Sequence, residues 1–238
     1  MAESCLNCGK AVKDNYCANC GQAVQLKRID ANYVAHEIGQ VLNFERGILF
    51  TVWELLIRPG ENIRDFLSEN RRRLVKPIIF IIATSLIFSF INQYFNIEEG
   101  YVNYDETKQS TIGIIFKWVE NNYGYANIIM GIFIAIWTKL FFRKYGYNFF
   151  EILILLCFVM GIGMLIYSVF ALFQGLTHIN IMQIGGVIGF IYSAWAIGQF
   201  FDKTKFSNYV KAFLSYLLGF FTFSLIAIFI GVLIDLVA

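Results

Sequence analysis

Charge is what this sequence has least of. Acidic and basic residues make up 15% of its 238 positions and apolar residues 58%, which excludes an ordinary soluble domain, whose surface needs charged side chains to stay in water. Histidine and proline are equally scarce, with two residues each. No Ser-His-Asp set, His-Glu-x-x-His run or glycine-rich phosphate loop can be assembled from what is present, so the chain is expected not to be an enzyme. Residues 1–76 also lack the ordered charged, apolar and cleavage regions of a signal peptide, and the first apolar span is expected to direct insertion.

What the chain has in abundance is hydrocarbon. Five apolar segments reach the length of about 20 helical residues that a bilayer core requires. They run from Ile78 to Phe95, Ala126 to Phe142, Phe149 to Phe173, Ile179 to Phe201 and Ala212 to Val237. The second is the shortest, and its one charge, Lys139, lies where a long side chain can reach the head groups. Twenty-five Phe and thirteen Tyr suit lipid-facing and interfacial positions. The expected fold is therefore an all-α membrane protein built on a five-helix transmembrane bundle.

Lys and Arg in the flanks set the expected orientation, because loops rich in them stay in the cytoplasm. Residues 1–77 hold Arg71, Arg72, Arg73 and Lys76 just before the first span, and Arg143, Lys144, Lys203, Lys205 and Lys211 mark two later turns. Between the first two spans, from about Asn96 to Tyr125, Glu98, Glu99, Asp105, Glu106 and Glu120 outnumber Lys108 and Lys117. With an odd number of spans the N-terminus is expected in the cytoplasm and Ala238 outside. No nucleic-acid partner is expected.

A cytoplasmic N-terminus is reducing, which disfavours disulfides and favours metal for paired cysteines. CLNCG places Cys5 and Cys8 before Gly9, and CANCG places Cys17 and Cys20 before Gly21. Four thiolates suit tetrahedral Zn2+, and a segment this poor in apolar residues needs metal to fold, so residues 1–25 are expected to be a small structural zinc ribbon. Four protein ligands would close the shell against substrate. His36 has no ligand partner at suitable spacing, His178 reads as an outer-loop residue, and Cys157, inside an apolar span, reads as a packing residue.

Residues 26–77 read as cytoplasmic and interfacial helices, leaving 78–238 for the bundle. The run from Gly47 to Ile57 is apolar but too short to cross, as in an interfacial or re-entrant helix, and Arg58-Pro59-Gly60 breaks it. Ile63, Phe66, Leu67 and Leu74 then follow an amphipathic spacing expected to lie on the inner leaflet, with Arg71, Arg72, Arg73 and Lys76 at anionic lipid heads or simply setting topology.

Within the spans no charged residue sits near the midplane, where a proton or ion path would need one. Glu151 and Lys139 are expected to form an interfacial pair. Gly185, Gly189 and Ser193 make a small-residue face that permits close helix approach, for packing within the bundle or in a homodimer.

The two cysteine pairs, followed by FERGILFTVWELLIRPGENIRDFLSENRRRLVKP leading into the first span, resemble the bacterial membrane family catalogued as domain of unknown function three-six-six-seven. The resemblance covers the first third of the chain and implies a short zinc ribbon fused to an inner-membrane bundle, with no activity to carry over. Two functions follow as expectations: a membrane-anchored interaction or scaffold protein with an unidentified cytoplasmic protein partner, or a small transporter or channel component with the ribbon as a regulatory or assembly cap.

Overall fold

A computed structural model describes residues 3–5, 8–12, 15, 17–20, 47–95, 97 and 111–237. Gly21, His36, Glu98, Glu99, Asp105, Glu106 and Lys108 lie outside the described residues, as do residues 26–46 of the expected interfacial region. The chain divides into two compact units, Met1–Asn43 and Phe44–Ala238. The first contains a minimal antiparallel hairpin, β1 (Glu3–Ser4) with β2 (Ala11–Val12), in the register Glu3 opposite Val12 and Ser4 opposite Ala11.

In the second unit the described residues form eight α-helices: α1 (Ile48–Ile57), α2 (Pro59–Ser68), α3 (Pro77–Tyr94), α4 (Thr111–Asn121), α5 (Tyr123–Phe141), α6 (Phe149–Thr177), α7 (Met182–Asp202) and α8 (Phe206–Val237). Five of them, α3 and α5 to α8, are long and apolar enough to cross a membrane. Both prolines open a helix, at the start of α2 and of α3. There the missing N–H costs no bond within the helix that the proline opens, and the fixed φ suits the first turn.

Several local expectations need correction. The stretch between the first two spans is not wholly a loop, because α4 forms there and Asp235 of α8 accepts hydrogen bonds from the Thr111 backbone N–H at 3.0 Å and from its hydroxyl. Glu151 and Lys139 do not pair. Glu151 instead closes a capping box with Asn148 at the start of α6, while the Lys139 ammonium donates to the Tyr147 carbonyl. His178 does stand in the connection after α6, as expected, in the left-handed conformation (φ 59°) and with its N–H on the Gln174 carbonyl.

The largest correction concerns α2. Its apolar face does not lie against lipid: Ile63 and Phe66, with Leu74 beyond the helix, are buried in the main core of the bundle. Phe158 of α6 stands between Phe66 and Phe80 of α3, with ring centroids 5.2 and 5.9 Å away. Small residues allow the helices to approach this closely. A Cβ on Gly161 would lie 2.7 Å from the Phe80 ring, and one on Gly219 would lie 2.5 Å from the backbone of Ile134. The face of Gly185, Gly189 and Ser193 is used within the chain: Phe170 and Tyr167 of α6 lie over the two glycines, and Ser193 is buried with its hydroxyl on the Gly189 carbonyl. Cys157 packs against the core, as a small apolar residue does.

Candidate metal centre

Cys5 follows β1 directly, and the hairpin turns over it. The Cys5 N–H donates to the Lys10 carbonyl at 2.8 Å, and the Gly9 N–H donates to the Cys5 carbonyl at 2.8 Å. Gly9 has φ +69°, a left-handed conformation that costs glycine nothing and explains its place after Cys8. Residues 18–20 of the second pair form a turn. Backbone N–H groups of Cys20 and Asn19 donate to the Cys17 sulfur and, with the neighbouring cysteines, lower its thiol to about 6. A lowered thiol gives up its proton more readily, and the thiolate is the form that binds metal. The Lys10 ammonium donates to Asn19 Oδ1 at 2.8 Å and ties one turn to the other.

These turns bring together all four cysteines that the spacing singled out. Cys5 Sγ lies 3.5 Å from Cys20 Sγ, Cys8 Sγ lies 3.6 Å from Cys17 Sγ, and all four sulfurs fall within 4.8 Å of one another. None is in a disulfide. A tetrahedral metal with bonds of about 2.3 Å to sulfur sets its ligands about 3.8 Å apart, so the four sulfurs have the separation of a metal shell. Cys5 and Cys17 are buried while Cys20 is exposed, which leaves one side of the cluster at the surface. The arrangement can hold a metal ion.

The second unit has its own built feature around Arg58-Pro59-Gly60. Pro59 has no N–H, so the Leu55 carbonyl one turn earlier loses its helical donor. The Tyr192 hydroxyl of α7 supplies one at 3.0 Å. Asn62 Nδ2 caps the end of α1 by donating to the Glu54 and Arg58 carbonyls at 3.0 and 2.9 Å. Gly60 lets α2 touch the end of α7: a Cβ there would sit 2.5 Å from the Gln199 carbonyl. From the next turn Arg64 Nη1 donates to the Gln199 and Phe200 carbonyls at 2.8 and 2.6 Å. Those carbonyls lie in the last turn of α7, which has no internal donors and carries the negative end of the helix dipole. Glu61 extends the contact by accepting from Lys203 at 2.8 Å, and that ammonium holds the Glu61 carboxyl below its ordinary value.

The basic run separates into two kinds of residue. Arg73 pairs with Glu54 at 2.9 Å and Asp65 at 3.5 Å and stands over the Phe50 ring. Thr51, fully buried, accepts from the Val75 N–H at 3.1 Å, which fixes the same segment against α1. Arg71, Arg72 and Lys76 remain exposed. The roles of Asn62, Arg64 and Tyr192 were not foreseen from sequence. Only Pro59 carried a signal, since a proline after an apolar helix announces an orphaned carbonyl that some donor must reach.

This clasp lies within the stretch that a family model matches. Residues 45–89 match the family model described as Protein of unknown function (DUF3667). The match agrees with the resemblance read from the motif and spans α1, α2 and α3 as far as Ser89. The DUF3667 stretch thus coincides with Pro59, Gly60, Asn62, Arg64 and Arg73, the residues that build the clasp. No curated protein and no solved structure matches the chain.

Proposed function

We propose that this is a membrane-anchored interaction or scaffold protein of the bacterial inner membrane, carrying a structural zinc site on the cytoplasmic side. The observation that carries the reading is the closed set of four sulfurs within 4.8 Å. Zinc would be held by Cys5, Cys8, Cys17 and Cys20, and four protein ligands leave no position for a water or substrate. Bound there, the metal supplies folding energy to a segment whose sequence is poor in apolar residues. A folded, charged knob on a membrane-anchored chain is suited to contacts with other proteins.

The orientation rests on the distribution of cations. All Lys and Arg but Lys108 and Lys117 belong to residues 1–77, to the last turn of α5, to the connections that follow α5 and α7, or to the start of α8. The contacts of Arg64 with Gln199 and Phe200, of Glu61 with Lys203, and of Phe142 with Phe201 (centroids 3.8 Å apart) gather α2 with the ends of α5 and α7. That end faces the cytoplasm under the positive-inside rule, with the N-terminus inside and Ala238 outside.

The test is affinity capture of the full-length protein from membranes, with and without replacement of all four cysteines by serine. Specific partners held by the wild type and lost from the variant, with both chains still inserted, support the reading. An identical partner set would remove the knob from the interaction. Ion or solute flux through liposomes containing the purified protein would move the reading to a transporter or channel component with the ribbon as its cap.

A further inference from the structure

We propose that α1 and the cationic segment behind it form a binding surface for anionic phospholipid. α1 turns Thr51 and Leu55 inward and leaves Leu49, Trp53, Leu56 and Ile57 between 45% and 62% exposed. At ten residues it is half the length of a span. Ile78 and Ile79, at the start of α3, are exposed as well. An apolar helix too short to cross, with one face left open, belongs at the boundary between acyl chains and head groups.

The cations at its rim specify the kind of head group. Arg73 is engaged with Glu54 and Asp65, and the bond from Val75 to Thr51 holds residues 73–75 along α1. Among the described residues Arg71, Arg72 and Lys76 flank that anchored segment without a carboxylate partner, Arg71 reaching the Leu67 carbonyl at 3.5 Å. Glu69 is the one exposed carboxylate in this run and leaves it cationic. Exposed cations on a segment tied to an apolar helix with an exposed tryptophan match a lipid with apolar tails and a net negative head, each cation adding to the attraction. A soluble acidic partner would leave the apolar face uncovered. The proposal goes beyond the scaffold reading and does not depend on metal.

The test uses the full chain with Trp53 as its sole tryptophan (W118F, W137F and W195F), reconstituted into vesicles of equal phosphatidylcholine and phosphatidylglycerol. One lipid or the other carries brominated acyl chains. Trp53 fluorescence should be quenched, and quenching by the brominated phosphatidylglycerol should report about fivefold local enrichment over phosphatidylcholine. R71Q/R72Q/K76Q should equalise the two lipids while total quenching persists. Lack of quenching by either lipid, or equal quenching by both in the parent chain at low salt, overturns the proposal. If the tryptophan substitutions prevent insertion, native mass spectrometry of the wild-type chain decides instead: preferential retention of phosphatidylglycerol, lost in R71Q/R72Q/K76Q, supports the proposal, and equal retention of both lipids overturns it.

Discussion

The Tyr192 hydroxyl donates at 3.0 Å to the Leu55 carbonyl, the acceptor that Pro59 leaves without a helical partner. One side chain of the fourth span thereby repairs the break that ends α1, and does so in the interior of the protein, where an unpaired carbonyl is costly. Tyr192→Phe removes the donor and little volume. The expected loss is about 1–3 kcal/mol of stability, the cost of a buried unsatisfied acceptor. Denaturant unfolding of the detergent-solubilised chain measures it, and a variant as stable as wild type would mean that the carbonyl has another donor.

Gly60 tests the same clasp from the backbone side. The atoms that a Cβ would meet there, the Gln199 carbonyl and the Phe200 nitrogen at 2.5 and 2.7 Å, are main chain and cannot rotate aside. Gly60→Ala must therefore push α2 away from α7 and stretch the Arg64 bonds to Gln199 and Phe200. A loss of about 1–3 kcal/mol is expected, as for other overpacked contacts. Thermal unfolding in detergent gives the readout, and an unchanged midpoint would show that α2 does not rest on α7.

Much of this was visible in the sequence and some was not, for one physical reason. Length and apolarity reveal a span, and all five segments became helices. Lipid and protein core are both apolar solvents, however, so the pattern of Ile63 and Phe66 gave no sign that this face enters the core while Trp53 and Leu56 face outward. Boundaries shifted for a related reason. α8 begins at Phe206, ahead of the expected Ala212, because Ser207, Asn208 and Lys211 fit a helix whose first turns lie at a polar boundary. Asn208 even turns inward, donating to the Tyr145 hydroxyl at 2.8 Å. The cysteine cluster was the most legible feature, since the spacing of its four cysteines and the glycine after Cys8 can be read directly along the sequence. Glu151 and Lys139 misled because charge complementarity ignores the nearer partners, Asn148 and the Tyr147 carbonyl.

Glu61 and Lys203 give a prediction in pH. The ammonium lowers the folded-state pKa of the carboxyl, so the contact stabilises the protein above the ordinary Glu value of about 4.3 and is lost as pH falls through the lower folded value. Both side chains are exposed, which keeps the effect small. Lys203→Met should lower the thermal midpoint slightly at pH 7, and its gap from wild type should close below the carboxylate range. A gap of equal size at both pH values would assign the effect of Lys203 to something other than Glu61.

Metal content of the intact protein, purified from a reducing cytoplasm, is the most direct measurement of the cysteine site. About one zinc per chain is expected, with tight binding abolished by Cys8→Ser or Cys20→Ser, because each removes a thiolate from a closed shell. The bundle should still insert, since its helices satisfy their own backbone hydrogen bonds in lipid. A wild-type protein without metal, or stoichiometric zinc remaining after all four cysteines are replaced, would contradict the assignment of Cys5, Cys8, Cys17 and Cys20 as a structural zinc site.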